Sequence, residues 1–365
     1  MKITHTAIYR FSIPMEPFVI ATGTMDYAQN TFIQIHTDSG MYGVGECSAF
    51  PMIVGETQDT CLVLAREFAR LWKGKDPLVI GERLAELDAF IARNTTIKSA
   101  FDMALHDLAA KQAGVPLYRY LGGAVRDITT DITVGIASPA EMAAKALAFK
   151  SQGAEVLKVK LGKTPEADID RIQAIRNAVG DELSIRIDAN QGWDYADAVT
   201  ALQGLQRLGI QFCEQPMRSY DDHLLPRLRK ETSIPIMADE SCYDHRDAIR
   251  LAKQGACDYI NIKFSKSGGI AEALRIQQEA AAHGVPCMIG GMLESRLALS
   301  AKVHFAYAAS NVQFFDMDTC MLGHLEDPVR GGVEFNGYRL SLPAVPGIGA
   351  DIDDVFLAKC ERWEV

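Results

Sequence analysis

Lys158-Val159-Lys160, Asp188-Ala189-Asn190, Glu214-Gln215-Pro216, Ala238-Asp239-Glu240 and Asn261-Ile262-Lys263 follow one another along the middle of the chain, each closing a short apolar run. Lys160, Asp188, Glu214, Asp239 and Lys263 are separated by 28, 26, 25 and 24 residues. That interval is the length of one strand, one helix and their loops. One such unit adds one strand to a parallel sheet, so the five charged ends fall at corresponding ends of five consecutive strands.

The rhythm extends in both directions. Apolar runs at 132–136, 156–160, 183–187, 210–213, 234–238, 259–262, 286–289 and 312–315 read as strands. Helices are expected at 138–152, 195–208, 224–231, 247–254, 270–283 and 296–308, and none is assigned between 160 and 183. Ser138 and Glu141 form a capping-box pattern, with Pro139 at the first helical position. Eight strands with only seven full units predict an α/β barrel of modified (β/α)7β type.

The opening reads differently. A strand over 1–13 and a proline-containing loop over 14–24 precede a hairpin, 31–36 with 42–46, that turns at Asp38-Ser39-Gly40. A second loop, 47–55, carries Phe50, Pro51, Met52 and Ile53. Helical periodicity then runs through 57–72, 82–92 and 97–113. The expected division is an α+β capping domain over 1–125, the barrel over 126–325, and a C-terminal segment, 326–365, that returns to the capping domain. A hairpin over 333–342, turning at Asn336-Gly337, is assigned to the capping domain as well.

A formal net charge of -10 argues against a nucleic-acid or anionic-membrane surface. Eight cysteines without paired short spacing read as reduced, packed side chains. No signal peptide or membrane span is visible, so a cytoplasmic location is expected.

Asp188, Glu214 and Asp239 end three successive strands. Three hard oxygen ligands without His or Cys suit Mg²⁺, against the plainer reading of helix caps and surface acids. Lys160 and Lys263 stand four strands apart in an eight-stranded ring, facing a substrate from opposite sides. Positive charge from Mg²⁺ and Lys158 is expected to lower their pKa. The chemistry suggested is removal of a proton α to a carboxylate and its return on the other face, with inversion at that carbon. A metal-binding or sugar-binding barrel without catalysis would explain the carboxylates but not the opposed lysines.

As a set, these motifs resemble the enolase superfamily, in its muconate-lactonizing-enzyme subgroup, and most of all the dipeptide epimerases typified by L-Ala-D/L-Glu epimerase. The resemblance covers nearly the whole chain. It implies Lys160 and Lys263 as catalytic residues, Asp188, Glu214 and Asp239 as Mg²⁺ ligands, Lys158 as a stabiliser of an enediolate, and a homo-oligomer. Phe315-Asp316-Met317-Asp318 is similar to the pair that receives the substrate's α-ammonium in dipeptide epimerases. Two carboxylates suit a free ammonium entering a closed site. N-acylamino-acid racemases and succinylbenzoate synthases of the same subgroup, the alternative reading, would leave Asp316 and Asp318 without a charge partner.

The Ala-Glu enzymes carry an arginine in the early capping loop, at the position of Gly23 here. A glycine cannot pair a carboxylate, so an apolar C-terminal residue is expected, lined by Ile20, Met25, Met52 and Ile53; Asp26 and Glu16 keep a cationic one open. Lys266 reads as support for the site, and Glu240 as an orienting group. His106-Asp107 and His304 read as structural.

Overall fold

Strands β1 (Ile3–Ile20) and β2 (Gly23–Thr37) form one long antiparallel hairpin, with β3 (Tyr42–Ser48) paired to β2, in a computed structural model that describes residues 1–21 and 23–365. A loop is expected over 14–24, yet the ladder continues as far as Ile20 opposite Gly23. A register shift between Pro14 and Phe18 absorbs the residues that break the alternation. The hairpin thereby reaches the barrel, where Val19 O accepts from Ile136 N at 3.2 Å.

Helices α1 (Pro51–Val54), α2 (Gln58–Trp72), α3 (Ile80–Phe90), α4 (Thr95–Gln112) and α5 (Leu117–Tyr120) complete the capping domain. The short α1 lies inside the expected loop 47–55. A stripe of Cys61, Leu62, Ala65, Phe68, Ala69 and Trp72 explains why α2 is the clearest helix in the sequence. β3 lies so close to α4 that a Cβ on Gly45 would stand 1.9 Å from Ala100 O. Only glycine permits that approach.

The barrel strands are β4 (Ile132–Val134), β5 (Val156–Lys160), β6 (Ser184–Asp188), β7 (Ile210–Glu214), β8 (Ile236–Ala238), β9 (Tyr259–Ile262), β10 (Cys287–Gly290) and β11 (Val312–Asp316), all parallel and in sequence order. Between them run α6 (Pro139–Ser151), α7 (Pro165–Val179), α8 (Tyr195–Leu205), α9 (Leu225–Glu231), α10 (His245–Gln254), the short α11 (Phe264–Ser267) with α12 (Ile270–Ala282), and α13 (Arg296–Ala308). This is the (β/α)7β barrel. The unassigned helix is α7, whose buried face carries Asp168 and Arg176 among its aliphatic residues. Those charges interrupt the apolar stripe on which helical periodicity depends.

The seam between β4 and β11 is bridged by Asp131 N donating to Phe315 O (3.2 Å), Met317 N to Thr130 Oγ1 (2.8 Å) and Thr133 N to Asp318 Oδ2 (2.7 Å). Inside, Phe212, Met237 and Met288 pack with Tyr259 and Phe314 as an apolar cluster. The barrel is therefore a filled core with a polar layer above it, not a pore.

After the barrel come β12 (Val329–Gly331), β13 (Glu334–Asn336), β14 (Arg339–Ser341), β15 (Ala350–Ile352), α14 (Asp354–Leu357) and β16 (Arg362–Glu364). β16 pairs with β1, so the tail joins the first sheet. The β13–β14 hairpin does not. It meets the segment entering β4, with Thr130 N bonded to Tyr338 O and Leu340 N to Ile128 O, both at 2.9 Å. An Asn-Gly turn specifies a hairpin but not the surface it lands on.

Buried carboxylates join the capping domain to the barrel. Glu46, on β3, accepts from Asn30 Nδ2, Ser295 N and Oγ, and Ala298 N, and so caps α13 from the other domain. Burial pushes its pKa up to about 7, against the Ser295 donors. Glu46→Ala leaves these donors buried without an acceptor, and a cost of about 3 kcal/mol is expected in urea unfolding.

Candidate active site

Lys158 and Lys160 lie two residues apart on β5 and so share the face that points into the barrel. Across the ladder, Lys160 is level with Asp188 on β6, and Asp188 with Glu214 on β7. Asp239 follows β8, and Lys263 follows β9, four strands round the ring from β5. The spacing of the sequence therefore becomes an arc of charge around one end of the barrel.

The groups touch. Lys160 Nζ meets Asp188 Oδ2 at 2.6 Å, and Lys263 Nζ meets Asp239 Oδ2 at 2.9 Å. Lys158 Nζ sits between Glu214 Oε2 (2.8 Å), Asp316 Oδ2 (2.8 Å) and Asp188 Oδ2 (3.2 Å). All of these side chains are buried. Burial opposes the charge on Lys263, but Asp239 and Glu214 outweigh it and hold its pKa above the ordinary lysine value; Lys158 pulls the other way. The lowering expected from Lys158 is thus overridden by the carboxylates. The Lys158 ammonium is likewise held up, against burial, by Asp316, Glu214 and Asp188.

Asp188, Glu214 and Asp239 fit a divalent cation by donor chemistry, since they are buried, oxygen-only and stand at the ends of three consecutive strands, although their oxygens do not all come within 4.8 Å of one another as those of Asp131, Asp316 and Asp318 do. Glu214 Oε2 and both Asp239 carboxylate oxygens receive no hydrogen bond among the described residues, only ammonium charge. Burial, with Asp188 adding, pushes Glu214 up to about 7 while Lys158 opposes. Such a carboxylate gains from a cation.

Residues outside the five motif ends hold this arc in place. Asn261 Nδ2 donates to Glu214 Oε1 at 2.8 Å, and a Cβ on Gly290 would stand 2.5 Å from Asn261 Oδ1. Gln215 Oε1 accepts from Asp239 N (2.9 Å) and Ser241 N (3.2 Å), tying the loop after β7 to the loop after β8. Its own backbone is left-handed, φ 34°, as is that of Asn190, φ 41°. Strain of this kind persists where neighbouring bonds over-determine the backbone, and here it falls one residue after Glu214 and two after Asp188. Lys266 is 1% exposed and meets Asp239 Oδ1 at 2.6 Å, with the carbonyls of Cys242 and Asn261 at 3.0 Å. It is fully occupied as a support. Glu240 orients nothing by hydrogen bond, because neither of its buried carboxylate oxygens has a donor among the described residues.

Asp316 and Asp318 stand at the seam, and the structure adds Asp131. One oxygen from each of the three lies within 4.8 Å of the other two. Arg186 Nη1 binds Asp131 Oδ2 at 2.8 Å. Burial raises Asp318 to about 7, and Asp316 adds to it. In the capping domain, Gly23 lies opposite Ile20, and Met25 opposite Phe18. Met52 Sδ would stand 2.6 Å from a Cβ at position 23. Ile53 O accepts from Tyr243 Oη at 2.7 Å, which pins the loop before α2 to the loop after β8. Met52 and Ile53 also line a cavity of about 1290 Å³ that is bounded by α3, the start of α4 and α12 as well and is lined by none of the residues of the charged arc.

The remaining candidates are structural. His106 is buried against Asp102, Asp107 accepts from Val44 N and Ile348 N, and His304 Nδ1 accepts from Tyr118 N. All eight cysteines are free.

Residues 141–355 match the family model described as enolase C-terminal domain-like. Residues 3–122 match that of the mandelate racemase / muconate lactonizing enzyme N-terminal domain. The chain belongs to the enolase superfamily. Within this superfamily it is 42% identical, over 99% of both chains, to D-Ala-D/L-Ala epimerase of Cytophaga hutchinsonii. It is 39% identical to the hydrophobic dipeptide epimerase of Enterococcus faecalis, over 96% of this chain and 99% of that one. It is 38% identical to L-Ala-D/L-Glu epimerase of Bacillus subtilis, over 96% of each. The crystal structure of the Cytophaga hutchinsonii dipeptide epimerase, complexed with Mg and D-Ala-L-Val, superposes with a TM-score of 0.98 over 100% of both chains.

Proposed function

We propose that this enolase-superfamily chain is a Mg²⁺-dependent dipeptide epimerase that inverts the α-carbon of the C-terminal residue and favours apolar residues there over glutamate. The observation that carries the reading is the pair Lys160 and Lys263, four strands apart, with Asp188, Glu214 and Asp239 on the arc between them. Asp188, Glu214 and Asp239 would hold the metal. When bound, Mg²⁺ supplies the charge that offsets these carboxylates and acidifies a proton beside the substrate's own carboxylate. One lysine, as the free amine, takes the α-proton from its face, and the electron pair of the broken C–H bond passes into the carboxylate to give an enediolate. Lys158 stabilises that charge. The opposite lysine, as an ammonium, returns a proton to the other face of the same carbon. Asp316 and Asp318 receive the substrate's α-ammonium. Gly23, Met25 and Ile53 border the side chain on the α-carbon being inverted, and the glycine offers no positive charge.

Two of the relatives support the apolar preference, being named for Ala-Ala and for hydrophobic dipeptides. The third is named for Ala-Glu. No helix among the described residues is long and apolar enough to cross a membrane. The proposal takes the chain as a cytoplasmic homo-oligomer.

A mass-spectrometric dipeptide library in deuterated water with Mg²⁺ tests the reading. Deuterium uptake at the C-terminal α-carbon is expected for free-amine dipeptides ending in apolar residues, with Ala-Glu slower. Uptake confined to N-acylated substrates would instead favour an N-acylamino-acid racemase, and no uptake anywhere would overturn the proposal.

A further inference from the structure

At the seam between β4 and β11, the buried carboxylates of Asp131, Asp316 and Asp318 share one arrangement. In each, Oδ2 is bound to a protein donor: Arg186 Nη1 for Asp131 (2.8 Å), Lys158 Nζ for Asp316 (2.8 Å) and Thr133 N for Asp318 (2.7 Å). Asp131 Oδ1 and Asp318 Oδ1 have no donor among the described residues, although these side chains are only 0% and 1% exposed. The three carboxylates share two cations, Arg186 and Lys158, and Lys158 is divided among Asp316, Glu214 and Asp188. The seam is balanced either by protons held on these carboxylates or by a further positive charge brought among them.

One oxygen from each of the three carboxylates lies within 4.8 Å of the other two, so a single atom can stand within about 2.8 Å of all three, inside the reach of charge-assisted N–H···O bonds. A primary ammonium carries three N–H donors. We infer that Asp131 is a third acceptor for the substrate's α-ammonium, completing with Asp316 and Asp318 a three-carboxylate pocket that selects a primary amine. This rests on the proposed epimerase reading, which places the ammonium at Asp316 and Asp318, and adds both a residue and a selection rule to it. Asp131 lies just before the first barrel strand, outside every motif that marks the site in the sequence.

The test uses the full-length chain with Mg²⁺ and three ligands measured by calorimetry: Ala-Ala, N-methyl-Ala-Ala, and propionyl-alanine, which lacks the amine. Asp131→Asn keeps an acceptor for Arg186 but loses the charge. It is expected to reduce the preference for Ala-Ala over propionyl-alanine at least about tenfold, leaving propionyl-alanine binding within about twofold of wild type. In the wild type, one N-methyl group removes one donor and is expected to weaken binding at least about tenfold, a measurement that stands whether or not Asp131→Asn folds. An unchanged preference, an equal weakening of both ligands, or wild-type binding of N-methyl-Ala-Ala as tight as Ala-Ala would overturn the inference. So would two Mg²⁺ per chain falling to one in Asp131→Asn. If Asp316→Asn abolishes the amine preference while Asp131→Asn keeps it, the epimerase reading stands and Asp131 alone falls. If the wild type shows no amine preference, the ammonium reading itself fails.

Discussion

Lys160→Ala and Lys263→Ala are each expected to lower epimerisation by at least about 10⁴-fold while leaving the fold intact. The magnitude follows from removing the only group on one face that exchanges the proton, since general acid–base groups contribute about 10²–10⁴ and inversion needs both faces. Both variants should remain folded because neither leaves a carboxylate alone: Asp188 keeps Lys158 at 3.2 Å, and Asp239 keeps Lys266 at 2.6 Å. The two variants are distinguishable from each other. With one lysine left, deuterium uptake from a single C-terminal configuration survives, and the surviving configuration should be opposite in the two variants. Normal epimerisation by both would refute the two-base assignment, and loss of exchange from both configurations in both would assign the lysines to binding.

The central arc was legible because it repeats. A barrel unit has nearly constant length, so functional residues at strand ends inherit a period that survives without any knowledge of contacts. Contacts made across the repeat carry no period, even where the residues stand inside the motifs. Asn261 reaches Glu214 from two strands away, and Gln215 bonds to the next loop. Asp131 precedes β4 and meets Asp316 and Asp318 only because the ring closes there. Closure is a property of the whole sheet, and an isolated Asp before a short apolar run does not reveal it.

The same contrast explains where the fold departs from the pattern of the sequence. α2 declares itself through a continuous apolar face, whereas α7 buries Asp168, whose carboxylate accepts from Gly162 N at 3.0 Å and Trp193 Nε1 at 2.9 Å, on the face that should read as apolar. The β1–β2 hairpin passes for a loop because its bulge falls among prolines. In each case a local rule is broken to serve a tertiary contact: the capped loop after β5, and the reach of the hairpin to Ile136.

Gly23→Arg is expected to shift the preference toward Ala-Glu, relative to Ala-Ala, by about 10²-fold or more. The resemblance to the Ala-Glu enzymes implies that their arginine would stand at position 23. A guanidinium there would pair a glutamate side chain through charge-assisted bonds worth about 1.5–3 kcal/mol each. The backbone does not resist, since Gly23 opens the extended strand β2. What occupies the space is Met52 Sδ, 2.6 Å from where a Cβ would be, at the end of a flexible side chain that is 38% exposed. A methionine with that much freedom can swing toward solvent at little cost. Met52→Ala in the Gly23→Arg background should then add little, whereas a large further gain would mean that Met52 had blocked the arginine. The readout is the ratio of kcat/KM for Ala-Glu and Ala-Ala, which cancels any change in folded fraction. A ratio that stays at the wild-type value in both variants would remove position 23 from the specificity site and leave Met25 and Ile53 to account for the preference.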